Sequence, residues 1–148
     1  MKKILMVLMV LGMGMFATAQ PSPEQIEQFK SQKVSYMTDR LSLTSEEAQL
    51  FWPIYNKFDE LRWKQHERRR TLEQKLRDSY DKLGDKDFQQ INAEMNLLAQ
   101  NELNLVLKYN AEFLKVLPAK KVVLIAPAEN DFRFRMIKDY RKKQRDEE

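Results

Sequence analysis

Cysteine is absent from the 148 residues, histidine occurs once and glycine three times. Without cysteine there can be no disulfide scaffold, thiol nucleophile, Cys-ligated zinc, covalent haem attachment or lipid anchor on a processing-site cysteine. The single histidine, His66, falls short of the two or more imidazoles that a metal site of this kind needs, so it reads as a solvated helix residue and no metal or cofactor is expected. Two of the glycines, Gly12 and Gly14, sit in the apolar N-terminal run, leaving Gly84 alone beyond it. One glycine provides little for tight hairpin turns. The expected fold is therefore all-α and single-domain in length. The sequence also lacks a nucleophile beside a base, a glycine-rich phosphate loop and a carboxylate pair set apart from other charge, so no catalytic residue and no enzymatic activity are expected.

The first nineteen residues have the layout of an export signal: Lys2 and Lys3, an apolar run from Ile4 to Phe16, then Ala17-Thr18-Ala19 as a small-residue cleavage site. The expected product starts at Gln20, giving residues 20–148 as one domain. The run is shorter than the roughly 20 residues of a spanning helix, and no later segment is apolar enough to span, so no stable membrane insertion is expected. Loss of Lys2 and Lys3 lowers the formal charge from +4 to +2.

Four helices are predicted. Ser22 followed by Pro23 starts the first, over Glu24 to Ser42, with Ile26, Phe29, Val34, Met37 and Leu41 on one face. Thr44 and Glu47 form a capping box for the second, with Leu43 ahead of it. Pro53 is expected to kink or restart this helix, and Gly84 to stop it. Asp85 or Asp87 caps a third, which runs from Phe88 to about Val116. Its main stripe is Phe88, Ile91, Met95, Leu98, Leu105, Tyr109, Phe113 and Val116, and an adjoining stripe of Leu103, Val106, Leu107 and Leu114 calls for a second neighbour. Pro118 opens the fourth, with a kink at Pro127 and fraying from Arg141.

The apolar face of the second helix is interrupted where Gln65, Arg68 and Arg69 fall between Leu61 and Leu72. Either the arginine stems pack over a gap in the core while their heads reach water, or the helices splay to leave a basic concavity. The opposite side carries Trp52, Asp59, Trp63, His66 and Arg70. Exposed tryptophan is enriched at interaction surfaces, although packing on another helix or a second subunit explains it equally well. The run Arg62 to Arg70 is the densest in basic residues, but export and a low net charge argue against nucleic acid.

An exported, cysteine-free, four-helix chain with Leu43-Thr44-Ser45-Glu46-Glu47 opening one helix and Leu117-Pro118-Ala119-Lys120-Lys121 opening another resembles the Spy/CpxP-like periplasmic proteins, in particular their Bacteroidetes-type branch. The matching stretches are Leu41 to Tyr55 and Val116 to Val122, with Ala128-Glu129 and Phe132-Arg133 behind. The family's repeated signature is Leu-Thr-x-x-Gln. The first copy here has Glu47 in the glutamine slot, and the second has Pro118 for threonine and Lys121 for glutamine. The resemblance implies an elongated four-helix hairpin with long second and third helices, paired into a curved antiparallel dimer that holds unfolding proteins without ATP.

Two functions follow as expectations. The first is a periplasmic holding chaperone or envelope-stress binding protein, with Arg62, Trp63, Arg68, Arg69 and Arg70 contacting unfolded clients through quick electrostatic capture and modest apolar burial. The second is a regulatory partner of an envelope sensor or anti-sigma factor.

Overall fold

The computed structural model describes residues 22–146; the expected export signal, its cleavage site, Gln20, Glu147 and Glu148 lie outside them. The described chain is all helical: α1 Pro23–Arg40, α2 Ser45–Ser79 with a 3-10 turn Tyr80–Lys82, α3 Asp85–Val116, a one-turn α4 Ala119–Val122, and α5 Ile125–Asp146. It is an elongated helical hairpin whose arms are α2 and α3. α1, α4 and α5 pack around one end of it.

The helix starts follow from local chemistry. Ser22 Oγ accepts from the Gln25 amide at 3.2 Å while Gln25 Oε1 accepts from the Ser22 amide at 2.8 Å. Thr44 and Glu47 repeat this reciprocal arrangement at α2, at 3.2 and 2.9 Å. Each satisfies two of the amides that a helix N-terminus leaves without partners. α1 ends at Arg40, before the predicted Ser42, because Ser42 turns to φ 48°. That left-handed residue lets the Leu43 amide reach back to the Thr38 carbonyl, closing the helix as a Schellman turn.

Four expectations are corrected. α2 runs unbroken through Pro53 without restarting; Pro53 and Gln49, whose carbonyl loses its helical donor, are both exposed, so water can take the missing bond. Gly84 does not stop α2 with a left-handed turn: its φ is −92°, and it sits at the head of α3, where its amide donates to the Asp87 carboxylate at 2.9 Å. The predicted fourth helix is two pieces, because the break falls at Val123 and Leu124. Pro127 is then the third residue of α5, where a helical amide has no partner to lose, and no break is needed there. Finally, α5 continues to Asp146 where fraying was predicted.

The core lies at the end of the hairpin opposite the α2–α3 turn, the end that α1, α4 and α5 close off and that is called the closed end below. Met37 and Leu41 of α1, Phe51, Tyr55 and Phe58 of α2, Tyr109 and Phe113 of α3, Leu117, and Ile125 and Ala128 of α5 form one buried cluster. The rings of Phe51, Tyr55, Phe58, Tyr109 and Phe113 interlock at centroid distances of 5.2–6.4 Å, the range in which aromatic pairs add to simple area burial. Beyond Arg62 the described contacts of α2 are with α3 and the turn that joins them, and Leu98 and Ile91 are the buried residues of that arm.

A polar chain threads the core. Tyr55, Asp59 and Arg62 recur at i, i+4 and i+7 on one stripe of α2. Arg62 sends Nη1 and Nη2 to the two carboxylate oxygens of Glu129 in α5, at 2.8 and 2.6 Å, and Tyr55 donates its hydroxyl to the same carboxylate. Arg62 also reaches Asp59 at 3.0 Å, and both Asp59 oxygens accept from Lys33 of α1 at 3.1 Å. The guanidinium lies 4.7 Å over the Phe58 ring, and the Lys33 ammonium 5.0 Å over Tyr55. A carboxylate as buried as Glu129 is stable only with such partners.

Removing one member of this pair strands the other. Arg62→Ala is expected to cost about 3 kcal/mol of unfolding free energy, whereas the double variant Arg62→Met/Glu129→Met recovers most of it by leaving no buried charge. Urea unfolding of both variants is the check. An Arg62→Ala loss below about 0.5 kcal/mol would contradict the pairing.

Candidate functional site

The five residues singled out from the basic run do not share one surface. Arg62 faces inward, paired as described. Trp63 faces outward, 56% exposed, with the Arg70 guanidinium stacked 4.9 Å over its ring. That stacking follows from their spacing of seven residues, two turns along one side of α2. Arg68 and Arg69 lie on the side towards α3, where Arg68 approaches Glu94 at 3.8 Å and Arg69 approaches Glu102 at 3.6 Å. His66, half exposed, is 3.9 Å from the same Glu102.

The interrupted stripe of α2 therefore meets carboxylates of α3, and the two helices are bridged there rather than splayed. Gln65 lies in this layer with Oε1 buried and without a hydrogen-bond partner. One helix's periodicity shows an interruption; the answering residues stand some thirty positions away. Trp52 also parts from Trp63. It is half buried against Phe51 and Tyr55, with ring centroids at 5.1 and 5.4 Å, and belongs to the closed end.

The outer side of α3 is a second surface. Leu97, Leu103, Leu107 and Leu114 are all more than half exposed, so among the described residues no helix covers the adjoining stripe; Val106 of that stripe is partly buried, and Leu114 borders a cleft towards Val122 and Val123. From Phe88 to Leu107 the only charged residues of α3 are Glu94 and Glu102, and both point to α2. Ala93, Asn96, Gln100, Leu103, Leu107, Asn110 and Leu114 alternate at spacings of three and four, the register of a coiled-coil seam. Leu103, Leu107 and Leu114 of this seam belong to the second stripe expected from the sequence, whereas Val106 of that stripe turns towards the core.

The two departures from the repeated signature meet each other. Lys121 of α4 donates to the Glu47 carboxylate at 2.6 Å and to the Ser42 carbonyl, tying the second motif to the first across the closed end. The hydrogen bond from Lys121, then that from the Thr44 amide, hold the Glu47 carboxyl below its usual range. Asp59 is also low: burial pushes its carboxyl up, but Lys33 and Arg62 outweigh that. For Arg62, burial works against the charge and the Glu129 carboxylate outweighs it, so its pKa is raised; the Tyr55 hydroxyl is pushed far up, first by burial and then by Glu129. Among the described residues no group of His, Asp and Glu is placed to hold a metal ion, and no helix is long and apolar enough to cross a membrane. Comparison with known family models, curated proteins and solved structures gives no match.

Carboxyls held low when folded contribute stability above their unfolded pKa of about 4, and that contribution disappears as pH falls through the folded value. Stability is therefore expected to fall below about pH 4, more gently in Asp59→Asn, which is already weaker at neutral pH. Urea midpoints against pH test this, and an Asp59→Asn curve parallel to that of the parent through the acid limb would contradict it.

Proposed function

We propose that this chain is an exported, ATP-independent holding chaperone of the Spy/CpxP-like kind, acting in the periplasm as a homodimer. The observation that carries this reading is Trp63: a large aromatic side chain, more than half exposed, on an arm whose outer side carries basic residues and no covering element. Such a side chain gives a modest desolvation gain to any unfolded segment, and Arg70, stacked on its ring, attracts acidic chains before they dock, while Arg68 and Arg69 add positive charge on the side of the arm that faces α3. Each contact is weak, and a client that buries its own apolar surface leaves. Arg62 supports the surface from inside, holding the closed end on which the arm is mounted. Glu47 and Lys121, which stand at the glutamine positions of the two signature copies, pair with each other at 2.6 Å and so join the two motifs.

A second copy of the chain fits the α3 seam. Three leucines in coiled-coil register, with asparagine and glutamine at the remaining positions and no charge to desolvate, suit an antiparallel helix pair.

At near-stoichiometric ratio residues 20–148 are expected to suppress aggregation of a thermally unfolding enzyme, with Trp63→Ala reducing the effect several-fold and Trp63 fluorescence moving blue on client addition. Absence of suppression at several-fold excess would overturn the reading. A single saturable envelope partner with no effect on generic clients would instead assign the chain to regulation of a sensor or anti-sigma factor. For the dimer, sedimentation at tens of micromolar should give the mass of two chains for the parent and one for Leu107→Glu. One chain for the parent would exclude it.

A further inference from the structure

α5 changes character after its core contacts end. Ile125, Ala128, Glu129 and Phe132 are buried on one side of it, and Met136 is half buried on the same side; from Ile137 onward every described residue is exposed. Phe132 is held between Phe29 and Tyr36 of α1, at centroid distances of 5.2 and 5.6 Å. The last three turns therefore stand beyond the packed end.

The side of α5 facing away from the core carries Phe134, Ile137, Lys138, Arg141, Gln144 and Arg145, all within roughly 120° of helix circumference at 100° per residue. Phe134 is 70% exposed, and Tyr140, at 64%, borders the same side. Among the described residues no carboxylate pairs with Lys138, Arg141, Lys142 or Arg145. Of the two described acids of this stretch, Asp139 lies 3.9 Å from Arg135 and Asp146 is the last residue of the helix. Apolar side chains and unpaired cations thus share one side of the helix and line a shallow open hollow there, where neither core packing nor ion pairing accounts for them.

We infer that this side of α5 docks on the surface of an anionic phospholipid bilayer, with Phe134 and Ile137 entering the headgroup boundary and the four cations meeting lipid phosphates. Charge complementarity selects an anionic partner. The order of residues selects among anionic partners: Phe134 and Ile137 lead the face and the cations follow within the next two turns, matching an interface that sets lipid phosphates over an apolar layer. The pattern is that of a helix lying in the interface plane, compatible with the absence of a spanning segment. Docking by α5 leaves Trp63 and the hairpin arm free, and the inference does not depend on the chaperone reading.

The test is flotation of residues 20–148, which include every described residue, with vesicles of phosphatidylcholine containing phosphatidylglycerol and with pure phosphatidylcholine vesicles. Binding to the anionic vesicles is expected, weakened about tenfold or more by Lys138→Glu/Arg141→Glu and also by Phe134→Ser/Ile137→Ser. All four positions are exposed, and unchanged helix content in each variant keeps the comparison sound. Equal flotation with neutral vesicles, or indifference to charge reversal, would overturn the inference. So would binding unaffected by Phe134→Ser/Ile137→Ser and displaced by polyglutamate, which would assign the surface to acidic polypeptides.

Discussion

The structure depends on a buried carboxylate, that of Glu129. An ionised carboxylate inside an aromatic core is stable only if its oxygens are fully engaged, and here a two-pronged guanidinium and a phenol engage them. Because Arg62 and Tyr55 lie on α2 and Glu129 on α5, satisfying the charge fixes the register of one helix on the other. Asp59 carries the same constraint to Lys33 and α1. The hydrophobic cluster around these groups supplies most of the burial, but apolar packing alone would tolerate helix sliding more readily than a network with directional bonds.

Two regions follow from this. The closed end has interlocking rings, the polar network and the Lys121 tie between the α1–α2 and α3–α4 junctions. The arm is two helices thick, with the polar residues Gln65, Arg68, Arg69, Glu94 and Glu102 interleaved with the smaller apolar contacts at Leu98 and Ile91. A two-helix arm buries only one stripe of each helix, so its other sides face water. Trp63 and the leucine row of α3 are therefore exposed by architecture, not by accident of sequence, and both are available to partners. The last turns of α5 are exposed for a related reason, since α1 is too short to accompany them.

Much of this was legible in the sequence where the cause is local. The helix start at Ser22, the capping box at Thr44, the length of α3 and its core stripe rest on neighbours within four residues. Pro127 misled because its effect depends on where the helix begins, and the break at Val123 and Leu124 has no comparably strong local signal. Gly84 misled for the opposite reason: glycine suits a left-handed helix end, but it also tolerates the extended backbone of a helix start. Arg62 was the deepest failure of local reading. Within the run to Arg70 it resembles its neighbours, and only the arrival of Glu129, sixty-seven positions later, turns it inward. Arg68 and Arg69 differ from it by meeting exposed or half-exposed carboxylates rather than a buried one.

The central claim is that the Glu129 network couples α1 and α5 to the hairpin while the arm is held independently. Residue-resolved hydrogen exchange on the parent and Arg62→Ala tests it most directly, because opening energies are read separately for each helix. Protection in α1 and the first half of α5 is expected to drop together in Arg62→Ala, while amides near Ile91 and Leu98 keep the parent's rates. Loss confined to the turn around position 62, or an equal loss throughout the chain, would contradict it.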